Sequence, residues 1–341
     1  MEIKIEEWVF ADDDHMWLEG SNPAAYVSDK SCDGCGSDML EIAKILNSND
    51  SVGLITGMCP NCGYVKRVRN LSQVWYANHF AKRWLSGSNA SISDQQVLKA
   101  DSYVFDKLRE YIPAGGRILD AGCGIGQRLL PFYEEGFEVY GFDPSEHRTN
   151  IVFDKLPNIA ISGAEQYLRD TELKFDLIYF FNVLQFVENP FEVIRLASER
   201  LAEGGVLFFS VGQFYNDANY CQFAHLGVIR SFLSLFSLVE VFTELELWPV
   251  QYTEAPFEIV LQKGVKNNKS IDILNSAKKV TQRDIEKFVE RSLNVRRLKI
   301  LGKTDLRYLG RKVSLRKVNF RGESLPVLFR HMSEEAPILL K

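Results

Sequence analysis

The sequence predicts an α/β protein: a doubly wound sheet of seven strands, with a small cysteine-rich unit before it and a small α+β extension after it. Three observations predict this. From residue 117 onward, short apolar runs alternate with helix-length segments, the pattern of a mostly parallel sheet covered on both faces. A glycine-rich turn, Asp120-Ala121-Gly122-Cys123-Gly124-Ile125-Gly126, follows the first of these runs. Two Cys-x-x-Cys pairs, Cys32/Cys35 and Cys59/Cys62, stand ahead of the alternating region.

The strands are expected at 117–120, 139–143, 159–162, 176–181, 206–211, 238–242 and 258–262, the last two as an antiparallel hairpin at a sheet edge. A helix is expected over 190–201. Another is expected ahead of the first strand. Ser93 with Gln96 makes a capping box, and Val97, Ala100, Val104, Leu108 and Ile112 recur at helical spacing until Pro113 and Gly115-Gly116 stop them. Residues 263–270 are polar and read as a linker, with a helix from Thr281 to about Leu293 and three short alternating runs beyond. The domains are therefore expected at 1–92 (cysteine unit at 32–66, then a stretch with Trp75, Tyr76, His79, Phe80 and Trp84 suited to a lid), 93–263 and 264–341.

Composition bounds the function. Of 341 residues, 46% are hydrophobic and 25% charged, enough to build a core. No apolar run approaches the ~18 residues that cross a bilayer. The longest, 177–187, is broken by Asn182 and Gln185. The N-terminal Met-Glu-Ile-Lys with acidic followers is no signal peptide, so a cytoplasmic location is expected. In that reducing compartment paired cysteines indicate metal or redox chemistry rather than disulfides. The net charge of −5 is uneven: residues 263–341 hold 20 Lys+Arg against 8 Asp+Glu, net +12, leaving −17 on the first 262. A basic tail of this kind suits phosphate, lipid headgroups or RNA, or simply balances an acidic body.

Glycines at 122, 124 and 126 let the backbone turn tightly and approach a ligand with no Cβ in the way. Their spacing is Gly-x-Gly-x-Gly, not the Gly-x-Gly-x-x-Gly of dinucleotide folds. Asp120, just before them, would repel pyrophosphate but accept a hydrogen bond from an ammonium group. S-adenosylmethionine (SAM) has such a group and no phosphate. The second strand ends in Asp143, a position suited to a ribose diol, and Ala164 and Glu165 follow the third strand where they can reach an adenine.

The order of these elements, with Phe175-Asp176-Leu177-Ile178, the exit Asn182-Val183-Leu184-Gln185-Phe186-Val187-Glu188-Asn189-Pro190 and Leu201-Ala202-Glu203-Gly204-Gly205-Val206-Leu207, resembles class I SAM-dependent methyltransferases over residues ~96–262. The resemblance implies a Rossmann-like fold and a SAM site at Asp120, Gly122, Gly124, Gly126, Asp143, Ala164, Glu165, Asn182 and Gln185. The family's exit often reads His-Val-Leu-Glu-His-Val; here Asn182, Gln185 and Phe186 occupy the polar positions.

The cysteine pairs are separated by 23 residues. Four thiolates make a closed tetrahedral site, so Cys32, Cys35, Cys59 and Cys62 are expected to hold a structural Zn²⁺ in a zinc ribbon. A redox pair or unrelated thiols are the alternatives. The Cys-Pro-x-Cys-Gly pair with the basic-aromatic stretch after it resembles the zinc segment of bacterial methyltransferases acting on sugars and secondary metabolites. Cys123 has no neighbouring base and reads as a small filler.

For the chemistry, His225 and Tyr215 follow the fifth parallel strand and are the catalytic candidates; Asn216 beside Tyr215 is a site-wall candidate, and His147, in the turn after Asp143, is a further histidine candidate near the expected cofactor. The expected function is methyl transfer from SAM to a small-molecule or glycan acceptor, at oxygen first, with carbon or nitrogen also open. Two other readings stand beside it. One is an RNA methyltransferase gripping nucleic acid with the ribbon and tail, although the chain lacks an Asn-Pro-Pro-Tyr-type motif. The other is a non-catalytic SAM-binding scaffold, which the Asn182, Gln185 and Phe186 departures permit.

Overall fold

The computed structural model describes residues 2–4, 26–46, 52–73, 76, 100–152, 155–211, 229–254, 256–279, 281, 283, 313–320, 323–330 and 339–340. The chain divides into two compact units that interleave along the sequence. One comprises Met1–Tyr76, Gln213–Ser234 and Lys279–Lys341; the other comprises Ala77–Gly212 and Leu235–Lys278. Strands are numbered below in chain order.

The first unit is built on a nine-stranded sheet. Its strands are β1 (Glu2–Lys4), β2 (Tyr26–Ser28), β3 (Leu40–Leu46), β4 (Val52–Met58), β5 (Val65–Leu71), β11 (Ser231–Phe232), β14 (Val313–Phe320), β15 (Glu323–Arg330) and β16 (Leu339–Leu340). The order is β11-β5-β4-β3-β1-β14-β15-β16, with β2 also on β5. The three C-terminal strands thus join the cysteine unit's sheet through β1, which pairs antiparallel with β14 and parallel with β3. Sequence order had suggested a separate extension over 264–341; in the structure 279–341 cluster with the N-terminal residues.

The second unit is a mixed seven-stranded sheet: β6 (Arg117–Ala121), β7 (Glu138–Asp143), β8 (Ile159–Ile161), β9 (Phe175–Phe181), β10 (Leu201–Val211), β12 (Leu247–Thr253) and β13 (Phe257–Lys263). The order is β12-β13-β10-β9-β6-β7-β8. Strands β6 to β10 are mutually parallel, and β13 runs antiparallel between β10 and β12. The central strands are buried on both faces, which is why they read as unbroken apolar runs: Leu177, Ile178, Tyr179 and Phe180 are all fully buried. On one face Leu177, Tyr179, Val206, Phe208 and Val260 form a core with Val104, Phe105 and Leu108 of the helix Tyr103–Leu108. The helix Pro190–Arg200 follows β9. Asn189 caps it by accepting from the Glu192 N–H at 3.0 Å, and Pro190 occupies its first turn, where no N–H is needed.

Three expectations are corrected. Residues 238–242 are not a strand: they lie in the helix Leu235–Glu244, with Leu235, Leu238, Val241 and Phe242 buried at helical spacing. The β-branched Val239 and Val241 had masked that period. The hairpin does form, but from β12 and β13. Pro249, which argues against a central strand, is accommodated on the edge strand β12 at a register shift between Pro249 and Gln251. Residues 263–270 are not a simple linker, because a helix Asn268–Asn275 starts there, capped by the Asn267 side chain accepting from the Ser270 N–H. Ahead of the sheet, the described helix spans only Tyr103–Leu108 and tightens into a 3₁₀ turn at Arg109–Tyr111; Ser93, Gln96 and Val97 lie outside the described residues.

Candidate functional site

The direction of sheet growth reverses between β6 and β9, and this leaves a crevice beyond their carboxyl ends. The glycine loop emerges there. The N–H groups of Gly122 and Cys123 donate to the Phe142 carbonyl at 2.8 and 2.9 Å, holding the loop against the end of β7. Gly124 N–H donates to Asp143 Oδ2 at 3.0 Å, and Ser145 N–H to Asp143 Oδ1 at 2.9 Å. Asp143 therefore pins the loop with one carboxylate oxygen and its own turn with the other. The latter is an Asx turn, visible in the sequence as Asp143-Pro144-Ser145.

The three glycines are not equivalent. At Gly122 (φ +87°) a Cβ would lie 2.5 Å from Val183 Cγ2, so only glycine admits the β9 exit this close. At Gly126 a Cβ would meet Val152 and Leu156 below 3 Å, a demand of packing. At Gly124 it would meet only the Arg148 guanidinium, at 3.3 Å. A short helix follows, but it begins at Leu130 and spans five residues to Glu134, so the N–H groups available beside the crevice belong to the loop itself.

Electrostatics mark the same place. Asp120 is 3% exposed. Burial pushes its pKa up to about 7; the neighbouring Tyr179 hydroxyl and the Arg128 guanidinium pull against that, and Asp143 and Asp101 push with it. Asp143 is also raised by burial, against the pull of the Ser145 N–H, Arg148 and the Gly124 N–H. Two carboxylates are thus held at the ends of adjacent strands where ionising them is costly. Arg128, Tyr179 and Ser145 were missed in the sequence. Arg128 sits 4.0 Å over the Phe181 ring and pairs with Asp101 at 2.9 Å. Its only sequence signal is a lone cation just past the glycines.

The remaining cofactor candidates border this crevice in two groups. Ser162 N–H donates to the Asp143 carbonyl at 3.2 Å, bringing the end of β8 alongside, and buried Ala164 and half-buried Glu165 begin the next helix. Asn182 leaves β9 in the left-handed region (φ +58°), tolerable for asparagine, and its N–H donates to the Ser210 carbonyl at 2.8 Å; it is exposed. Gln185 is buried, and its Oε1 has no donor among the described residues; nor does the buried Ser145 Oγ have a partner there. His225, Tyr215 and Asn216 lie outside the described residues, as do the side chain of His147 and most of the expected lid stretch. Cys123 is a buried core residue whose thiol is raised by burial, consistent with a filler.

In the first unit the four cysteines do converge: their sulfur atoms all lie within 4.8 Å of one another, with Cys32–Cys62 at 3.5 Å and Cys35–Cys59 at 3.4 Å. These are far longer than an S–S bond, and the thiols are free. Both pairs share one backbone plan. The N–H of Gly36 donates to the Cys32 carbonyl and that of Gly63 to the Cys59 carbonyl, each glycine at positive φ. Cys32 and Cys59 in turn donate to the carbonyls of Ser37 and Tyr64. Behind one knuckle, the buried Lys66 ammonium bonds Asp29 at 2.8 Å and Asp33 at 2.6 Å, and Tyr64 hydroxyl donates to Asp33 at 3.1 Å.

Residues 96–249 match the methyltransferase domain family. A protein of Geobacillus sp. (strain WCH70) described as a methyltransferase is 34% identical over 123 residues, 33% of this chain and 50% of that protein. The ubiquinone biosynthesis O-methyltransferase of Azoarcus sp. (strain BH72) is 28% identical over 103 residues, 28% of this chain and 44% of that protein. The chain thus spans about half the length of the curated relatives it matches. Among solved structures, a SAM-dependent methyltransferase of Mesorhizobium loti is similar at a TM-score of 0.39 and 18% identity, covering 47% of this chain and 97% of that one. Over residues 96–249 the chain is thus similar to a methyltransferase domain.

Proposed function

We propose that the protein transfers a methyl group from SAM to a small-molecule or glycan acceptor, with oxygen as the receiving atom. The observation that carries this reading is the pair of buried carboxylates, Asp120 and Asp143, flanking a glycine loop at the switch point of the sheet. When bound, SAM supplies an electrophilic methyl on a sulfonium. Asp120 would accept from its ammonium, and Asp143 would accept from ribose hydroxyls through lone pairs not used by Gly124 and Ser145. Ala164 and Glu165 would border the adenine. The orphaned Gln185 Oε1 and Ser145 Oγ are polar atoms that a ligand with N–H and O–H donors would satisfy. Asn182 would line the β9 side. Tyr215 and His225 follow β10 in the chain and are proposed as acceptor-side residues, with His225 as general base. Oxygen as acceptor is supported by the O-methyltransferase relatives.

We further propose that Cys32, Cys35, Cys59 and Cys62 hold one structural Zn²⁺. Four thiolates at 2.3 Å around one ion stand about 3.8 Å apart, close to the spacing seen here. Among the described residues no helix is long and apolar enough to cross a membrane.

Calorimetric titration tests the site. SAM is expected to bind the wild-type chain, and Asp143→Ala to weaken it by more than about tenfold. Conversion of SAM to S-adenosylhomocysteine with phenolic and sugar hydroxyl acceptors tests the reaction. Binding without turnover on any acceptor would favour the scaffold reading, and unchanged affinity in Asp143→Ala would refute the site.

A further inference from the structure

Arg230 is 6% exposed, in the extended segment just before β11. Its guanidinium lies 3.8 Å from the centroid of the Tyr76 ring, and Nη1 donates to Gln73 Oε1 at 2.8 Å. No carboxylate pairs with it among the described residues. A guanidinium has five N–H donors and a fixed positive charge, and burying that charge without a counter-ion is costly. The contrast on the same sheet is direct. Lys66, buried to a similar degree, meets two carboxylates, Asp29 and Asp33.

A second cation stands nearby. Arg67, 4% exposed, donates from its backbone N–H to the Arg230 carbonyl at 2.8 Å and from its guanidinium to Thr56 Oγ1. Both guanidinium charges act on the Tyr76 phenol, whose pKa burial nonetheless pushes up to about 12, so Tyr76 supplies no negative charge. Its hydroxyl is occupied with Asn70 Oδ1 at 2.8 Å. Among the described residues Arg230 thus has neutral partners: the Tyr76 ring and hydroxyl on one side and the carbonyl oxygen of an exposed glutamine on the other. The Gln73 amide oxygen is a neutral acceptor standing where a counter-ion would.

We propose that Arg230 is the anchor of an oxyanion-binding pocket in the cysteine-bearing unit, taking the carboxylate or phosphate group of a small anionic ligand. The planar fork of a guanidinium matches either group bidentately, and stacking on Tyr76 fixes its plane. Gln73 is the mouth of the pocket, and the incoming oxyanion replaces its Oε1. The proposal does not depend on the SAM site, which lies on residues of the other unit.

The test is a thermal-shift and calorimetric titration of the full chain with sodium pyrophosphate and with sodium citrate at matched ionic strength. At least one probe is expected to bind saturably and raise Tm by about 2 °C or more. Preference for pyrophosphate identifies a phosphate-bearing ligand, and preference for citrate a carboxylate. Arg230→Gln is expected to weaken the bound probe at least about tenfold while leaving SAM affinity within about twofold. A wild-type circular dichroism spectrum and cooperative melt show that the variant folds, and retained SAM binding keeps a failure here separate from a failure of the cofactor assignment. Should Arg230→Gln not fold, Arg230→Lys keeps the charge without the fork and is expected to weaken binding, while Gln73→Ala is expected to preserve or tighten it. Absence of saturable binding of either probe to the wild type, or wild-type affinity in the Arg230 variants, overturns the proposal.

Discussion

Asp120 holds a carboxyl group sealed at the end of β6, with a pKa near 7 where the ordinary value is 3.8. Because the folded state binds this proton more tightly than the unfolded chain, the stability it contributes is fully present below about pH 4. It is lost as pH rises through about 7. A cationic ligand beside the ionised carboxylate reverses that loss. The increase in Tm on adding SAM is therefore expected to grow between pH 6 and pH 8, and Asp120→Asn is expected to flatten the trend; a shift independent of pH in the wild type would count against an ammonium at Asp120. Gly122 is the second residue with a defined consequence. Alanine there would face both φ +87° and Val183 at 2.5 Å, so Gly122→Ala is expected to cost about 3 kcal/mol in urea unfolding. Adding Val183→Ala should restore only the steric part, because the backbone strain remains. Both residues were legible in the sequence as an acidic strand end and a glycine. That Asp143 spends two lone pairs on Gly124 and Ser145 was not, because the partners are backbone groups with no sequence signature beyond an Asx turn.

At the level of elements, the two cysteine knuckles repeat one another: Cys-x-x-Cys-Gly with a left-handed glycine closing each turn. That repetition is why the four-cysteine cluster was readable at a spacing of 23 residues. Protein made with zinc available is expected to carry one zinc per chain by elemental analysis. Cys59→Ser, leaving three thiolates, is expected to lower Tm by about 5 °C or more in a thermal melt; unchanged Tm with full zinc content would remove Cys59 from the ligand set. The parallel strands were equally readable, since burial on both faces writes a continuous apolar run. The helix Leu235–Glu244 was not. Its buried positions sit within a run that is apolar on nearly every side, where a period of 3.6 cannot be told from a period of 2. Strand β12 was hidden by Pro249, which only an edge position tolerates.

On the scale of the whole molecule, the two units are not consecutive in sequence. Segments 1–76, 213–234 and 279–341 share one sheet, so β11 depends on β5, and β14 to β16 reach it through β1. Deleting residues 1–76 is therefore expected to leave the later strands without partners and to give an aggregating product, checked by size-exclusion chromatography and circular dichroism. A soluble monomer with a cooperative melt would contradict that dependence.

The sequence alone determined six of the sheet's seven strands, the five parallel ones and β13, together with the glycine loop with its two acidic strand ends and the four-cysteine set. Each is written in local spacing: strand periodicity, turn chemistry, ligand pairs. Only the tertiary structure decided what depends on contacts between residues far apart in the chain. It joined the basic C-terminal strands to the cysteine sheet, lowered Arg128 onto Phe181 beside a buried carboxyl, and brought Arg230 against Tyr76 across some 150 intervening residues. Pairing across such distances is set by which edges and faces remain uncovered after local structure has formed, and no short-range pattern records that.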